Sequence, residues 1–392
     1  MRLLVTSDTG FEGVLAEELK ELASAHILEK SSGRVFIDVD GANLVNVFRS
    51  RIANNIYYIV GSADSVSTLD EIYKIVRGID FTLFIEPSQS FAIRPERVGE
   101  HSFTSIDIGR VAGQAVIDSY MQARGVRLRV NLDEPDVEVY VELNGSRLVV
   151  AISLTRESLH RRRYRVFSHP AALKSTIASA MLRIAGWRPG DGLYDPMCGG
   201  GTVVIEAALA SKGVEIPCIA RRSIDLGMLG RLFPQVVDEM DRLCMKSLVE
   251  WERIHIGVDI NPRFVEGAVI NAKNAGVDDS TIFIAGDMVE ITPKIRGLEH
   301  EFGVEMDIAV FNPPYGYRMK PGGLEKLYRK AIAVLRENSF RRVVFITSAT
   351  KVAERALSGF GDARIERLRV IHGTLPSIVY SIDFSSNGSN RQ

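Results

Sequence analysis

The sequence predicts an α/β protein: a mostly parallel, doubly wound sheet with a closing antiparallel hairpin, preceded by two smaller α+β modules. Three observations predict it. From about Ala171 onward, short apolar runs alternate with helical stretches, the pattern of strands buried between crossover helices. Three of those runs lead into an acidic residue, Asp195, Asp259 and Asp287, as expected where a parallel sheet meets a ligand at its strand ends. Before Arg156 the pattern is different, with short strands and single helices closing on an Asn144-Gly145 hairpin signal.

Taken in chain order, residues 2–5 read as a strand. Val14, Leu15, Glu18, Leu19 and Leu22 then recur at helical spacing. Residues 33–39 read as a second strand, Leu44, Val47 and Phe48 as a short helix, and residues 56–60 as a third strand, so that residues 1–60 form one module. In residues 61–155 a strand at 91–94 precedes a helix at 106–124 with Ile106, Val111, Ala115 and Met121 near one face. Strands at 126–130, 136–143 and 147–154 close that module. Residues 156–174 form a basic linker. The large sheet occupies 175–384, with strands at 192–195, 254–259, 281–285, 307–311 and 343–347 and a hairpin at 365–371 and 377–384. Its first helix is expected over 171–186. The polar tail, 385–392, is expected to be disordered.

Composition narrows the function classes. Hydrophobic residues make up 46% and charged residues 25%, which excludes a disordered chain. Cys198, Cys218 and Cys244 lack the spacing of a zinc site, and three cysteines exclude a disulfide scaffold, so a reducing cytoplasm and no metal are expected. No uncharged apolar run reaches the ~20 residues of a membrane span, and the N-terminal residues do not read as a signal peptide. Residues 1–174 carry 21 basic and 23 acidic side chains against 27 and 26 beyond, so neither half is a basic domain. A polyanion site must then be local. Arg156, Arg161, Arg162, Arg163 and Arg165, opposed within that stretch only by Glu157, form one candidate, with Lys174 just beyond.

Two motifs carry chemistry. Asp195-Pro196-Met197-Cys198-Gly199-Gly200-Gly201-Thr202 spans a strand-to-helix turn, where glycines let backbone approach a ligand and a helix N-terminus offers N–H groups. Asp259 is placed to accept ribose hydroxyls, with Ile260 beside it, and Asp287 and Met288 follow the next strand. Asp195 and Asp259 lie 64 residues apart where about 20 is usual, so residues 213–252 read as an insertion. Asn312-Pro313-Pro314-Tyr315 follows the strand at 307–311. Its prolines fix the backbone, Asn312 adds an acceptor and Tyr315 a flat ring, which together suit a planar group bearing an amino nitrogen.

These motifs, in this order, resemble those of S-adenosylmethionine-dependent methyltransferases acting on exocyclic amino groups. Residues 1–155 resemble the ferredoxin-like and THUMP modules of RNA-modifying enzymes. The whole chain is similar to the tRNA (guanine-N2)-methyltransferases, nearest those acting on guanosine 6 of the acceptor stem. A sister group acting at position 10 usually opens the Pro-Pro-Tyr motif with Asp, so Asn312 favours position 6. The resemblance implies a Rossmann-like catalytic domain, S-adenosylmethionine as cofactor, tRNA as partner and a monomeric enzyme. It also implies Asn312, Pro313 and Tyr315 as catalytic residues. The cofactor would be bound by Asp195, Pro196, Cys198, Gly199, Gly201, Thr202, Asp259, Ile260, Asp287, Met288 and Asn312, and a cofactor lid would begin at His169-Pro170. The alternatives are tRNA position 10 or a ribosomal RNA guanine.

Overall fold

The computed structural model describes residues 1–168, 172–246, 254–315 and 321–385. Two expectations fall outside them: the lid at His169-Pro170 and the tail beyond Ser385.

The N-terminal half begins with β1 (Arg2–Thr6), α1 (Glu12–Ala23), β2 (His26–Ser31), β3 (Arg34–Asp38), α2 (Leu44–Val47) and β4 (Asn55–Ala63). It continues with α3 (Leu69–Arg77), β5 (Ser90–Val98), α4 (Ser105–Arg124), β6 (Arg129–Val130), β7 (Val137–Asn144) and β8 (Arg147–Ser153). Among the described residues these strands make one eight-stranded sheet, ordered β2-β3-β1-β4-β8-β7-β5-β6. The antiparallel β4–β8 pair fuses the two α+β units. Pro95 sits inside β5, paired to β7. Its missing N–H is tolerated because β6 reaches only Ser90 and Phe91, leaving the other edge of β5 open there.

Local chemistry starts the helices. Thr68 and Glu71 form a reciprocal capping box for α3, and Thr104 and Asp107 do the same for α4. The buried face of α4 is Ile108, Ala112, Ala115, Val116, Ile117 and Tyr120. Of the expected stripe only Ala115 lies on that face; Ile106 is instead 79% exposed, Met121 is exposed and Val111 half-buried, which corrects the expectation.

The C-terminal half runs α5 (Ser175–Ile184), β9 (Leu193–Asp195), α6 (Thr202–Ser211), α7 (Ile216–Ile219), α8 (Leu226–Leu232) and α9 (Pro234–Met245). Next come β10 (His255–Asp259), α10 (Pro262–Ala275), β11 (Thr281–Ala285), α11 (Met288–Phe302) and β12 (Ile308–Phe311). Then follow α12 (Pro321–Glu337), β13 (Arg342–Thr347), α13 (Thr350–Leu357), β14 (Arg364–His372) and β15 (Leu375–Asp383). The sheet order is β11-β10-β9-β12-β13-β15-β14, parallel through β13 and antiparallel at the hairpin. The chain reverses direction across the sheet between β9 and β12, so their carboxyl ends flank the crevice where such sheets bind ligands.

The insertion has a structural role the sequence does not announce. It packs against the N-terminal half: Arg49 makes a two-pronged ion pair with Glu215, Arg51 donates to the Val214 carbonyl, and Arg231 donates to the Phe84 carbonyl. The Tyr58 and Phe233 rings meet edge-on at 5.6 Å. Cys218 and Cys244 form a disulfide, with Cα atoms 5.4 Å apart, tying α7 to α9. The expectation of a reducing environment does not anticipate this single bridge; only Cys198 is a free cysteine among the described residues. No described helix is long and apolar enough to cross a membrane.

Candidate active site

The site is built where β9, β10 and β12 end. Asp195, buried at the end of β9, accepts the Met197 N–H at 3.0 Å and so turns the chain sharply. The Cys198 N–H donates to Val258 of β10 at 2.8 Å, and the Gly199 N–H donates to the Asp259 carboxylate at 2.9 Å. The glycine loop is therefore fastened to the neighbouring strand. Gly201, at φ +80°, is the N-cap of α6, and a Cβ there would lie 3.0 Å from both Ala268 and the Phe283 ring. Only glycine fits without displacement. Gly257 is similarly needed, since a Cβ would come within 2.8 Å of Phe283 and 3.0 Å of Cys198.

The electrostatics of this wall are acidic. Burial, with the Asp259 charge adding to it, pushes the Asp195 carboxyl well above the usual range. The same burial, with both carboxylates nearby, raises the Cys198 thiol, which stays protonated and inert. Asp259 also takes the Asn261 N–H at 2.9 Å, and each of its oxygens keeps a further lone pair for a ligand hydroxyl. Ile260, beside it, is 75% exposed and presents an apolar face. Asp287 accepts the Val289 N–H at 2.9 Å at the start of α11. The Met288 side chain is packed in the core, which leaves only its backbone for the cofactor role expected of it.

The opposite wall is the loop after β12. Asn312 shares one cleft of about 320 Å³, solvent-open space included, with Ala172, Leu173, Asp195, Met197, Cys198, Gly199, Gly200, Thr202 and Val203. Asn312 and the Asp195–Thr202 loop, 110 residues apart at their nearest, thus line a single space, whereas Pro313 and Tyr315 are not among its lining residues. The buried Tyr328 hydroxyl of α12 donates to the Pro314 carbonyl at 2.9 Å and meets Thr347 at 2.8 Å, pinning the loop; burial pushes this phenol up to about 12. The Tyr315 hydroxyl lies 2.9 Å from Nδ1 of His372 on β14. Tyr328 and His372 were not among the expected site residues. Neither has a sequence signal, because each belongs to an element remote from the motif it supports. Gly316 lies outside the described residues.

The basic linker divides. Arg156, Arg161 and Arg163 keep exposed guanidinium groups, loosely paired with Asp225 or Glu157 at 3.3–3.6 Å. Arg162 is buried, donating to the Leu159 and Arg51 carbonyls and facing Glu206 at 3.6 Å. This corrects its expected place on an RNA-facing surface: it counters a buried carboxylate that also accepts the Tyr164 hydroxyl at 2.8 Å. Arg165 reaches the Leu173 carbonyl and Thr202, directly behind the glycine loop. Lys174 pairs with Asp8 of the N-terminal half at 2.6 Å. Among the described residues, no group of three or more His, Cys, Asp or Glu side chains is arranged to hold a metal.

A parallel sheet closed by a hairpin, with an acidic glycine loop facing an Asn-Pro-Pro-Tyr loop, defines a Rossmann-like methyltransferase domain. Residues 162–378 match the model of the RMKL-like methyltransferase domain, and residues 66–153 match the THUMP domain. Relatives named tRNA (guanine(6)-N2)-methyltransferase occur in Methanocaldococcus jannaschii, 36% identical over 97% of this chain and 99% of theirs, and in Archaeoglobus fulgidus, 38% identical over 92% and 86%. The crystal structure of a possible methylase from Clostridium difficile superposes with a TM-score of 0.83 at 21% identity, covering 97% of both chains. The chain belongs to the THUMP-domain tRNA (guanine-N2)-methyltransferase family.

Proposed function

We propose that the protein transfers a methyl group from S-adenosylmethionine to N2 of guanosine 6 in the acceptor stem of tRNA. The observation that carries this reading is that Asn312 and the Asp195–Thr202 loop line one cleft. The residues present fit the cofactor. Asp259 offers acceptors for ribose hydroxyls, Ile260 an apolar face, and the glycine loop a close backbone approach. The buried Asp195 gains most from a cationic ligand, because such a partner stabilises its ionised form. S-adenosylmethionine, when bound, supplies an electrophilic methyl group on a positively charged sulfur.

The chain's own residues then prepare the nucleophile. An exocyclic guanine nitrogen attacks poorly because its lone pair is delocalised into the ring. Asn312 accepts one N–H and the Pro313 carbonyl the other, which favours a more pyramidal nitrogen, while Tyr315 stacks on the base. Positioning of this kind is worth up to ~7–11 kcal/mol in ideal cases. After transfer the nitrogen is cationic, and its proton leaves readily to water. The target base must leave its stack, at a cost of a few kcal/mol, and phosphate contacts by Arg156, Arg161 and Arg163 and by the THUMP half offset that cost. Position 6 is favoured by Asn312 and by the names of the two archaeal relatives.

The test is incubation with labelled S-adenosylmethionine and unmodified tRNA, followed by nuclease mapping and mass spectrometry. N2-methylguanosine at position 6 is expected. Label at position 10, or on another atom, overturns the assignment.

A further inference from the structure

We propose that His372 is a positioning residue for Tyr315, fixing the orientation of the tyrosine ring beside Asn312 in the chain and setting it in register with the N-terminal half of the molecule. The inference rests on the reading of Tyr315 as the platform for the target base.

Two sets of contacts carry it. The first joins the hairpin to the base loop: the Tyr315 hydroxyl and His372 Nδ1 are 2.9 Å apart, and the rings meet edge-on with centroids 6.4 Å apart. Burial lowers the imidazole's proton affinity, with Asp8 opposing and Lys174 adding to it, which favours the neutral ring at pH 7. A phenol and a neutral imidazole satisfy each other in either direction. The second set joins the hairpin to the N-terminal half. The Ile371 N–H, next in the chain to His372, donates to the Thr9 carbonyl at 2.9 Å. Gly10, at φ +97°, is pressed so closely on β14 that a Cβ would fall 2.2 Å from the Arg369 carbonyl oxygen and 2.7 Å from the Val370 Cα. The end of β14 is thus wedged on the turn that follows β1, and one side chain hands that placement on to the loop carrying Tyr315.

The loop needs such a brace. Tyr328 holds it at the Pro314 carbonyl, but a tyrosine side chain one residue on retains its own rotations unless its tip is held. A stacking ring contributes to reaction only in the orientation that brings the nitrogen in line with the methyl group.

The experiment is single-turnover methylation of unmodified tRNA by the full-length protein and its His372→Ala, His372→Asn, Tyr315→Phe, Tyr315→Ala and His372→Ala/Tyr315→Phe variants. Losing one neutral hydrogen bond should slow His372→Ala by between about 2- and 12-fold. Affinities for S-adenosylmethionine and tRNA should stay within about twofold, the uncertainty usual for such comparisons. Asn places an acceptor close to the position of Nδ1, so His372→Asn should recover most of the rate. Tyr315→Phe should lose as much as His372→Ala, and the double variant no more than either. Two results overturn the proposal: a wild-type rate for His372→Ala, or a His372→Ala effect undiminished in the Tyr315→Phe background. A wild-type rate for Tyr315→Ala removes the platform reading itself, and the proposal with it.

Discussion

The two walls of the cleft are held in place by different means. The glycine-rich wall is closed on itself: the Asp195 carboxylate accepts the Met197 N–H, the Cys198 N–H donates to the Val258 carbonyl and the Gly199 N–H to the Asp259 carboxylate, and Gly201 and Gly257 are packed on Phe283. The Asn-Pro-Pro-Tyr wall borrows its supports, from Tyr328 on α12 and from His372 on β14, which itself leans on the N-terminal half. The cofactor wall is therefore a property of one sheet, whereas the base wall depends on how the two halves are joined. Cofactor affinity and base chemistry should accordingly respond to different substitutions.

The sharpest way to break that separation on the cofactor side is Asp259→Ala. Removing this carboxylate takes away the anchor of the Gly199 N–H together with the ribose acceptor. A hydrogen bond to a charged group is worth about 1.5–3 kcal/mol, so calorimetry should show affinity for S-adenosylmethionine falling by that amount while tRNA affinity is unchanged. Unchanged cofactor affinity in a folded variant would remove Asp259 from the site. A smaller effect is expected from Arg161→Ala/Arg163→Ala, which touches neither wall. Each lost phosphate contact should flatten the log–log salt dependence of tRNA binding by about one unit. An unaltered slope would return both arginines to a solvated linker. Cofactor affinity should not change in the Arg161→Ala/Arg163→Ala variant.

The same contrast explains what the sequence discloses. The cofactor wall is legible because its conformations demand particular residues at fixed places: carboxylates at strand ends and glycine where a Cβ has no room. The Asn312–Tyr315 motif is legible by its composition, but its braces are not, since His372 is 57 residues from Tyr315 and Tyr328 is 14 from Pro314. Strand β2 leaves no apolar alternation because it is an edge strand with mostly exposed side chains. Helix α3 is short and buries only Ile72 and Val76. In the basic linker, charge density identifies a cluster but not which member turns inward. Arg162 does so because Glu206, supplied by α6, waits in the junction. The cysteines of the disulfide are separated by 26 residues with all of α8 between them, and no spacing rule pairs them. The insertion, unreadable as a motif, is intelligible once its contacts with Arg49, Arg51 and Phe84 are seen.

The central claim is that Asn312 acts on the target nitrogen rather than on the cofactor. Single-turnover methylation by Asn312→Ala, with cofactor affinity measured on the same protein, tests it most directly. Loss of one preorganised polar contact in the transition state costs ~3–4 kcal/mol, so the rate should fall by about 10²–10³ while S-adenosylmethionine still binds normally. Methyl transfer at the wild-type rate, or a loss of rate fully matched by a loss of cofactor affinity, would contradict the account.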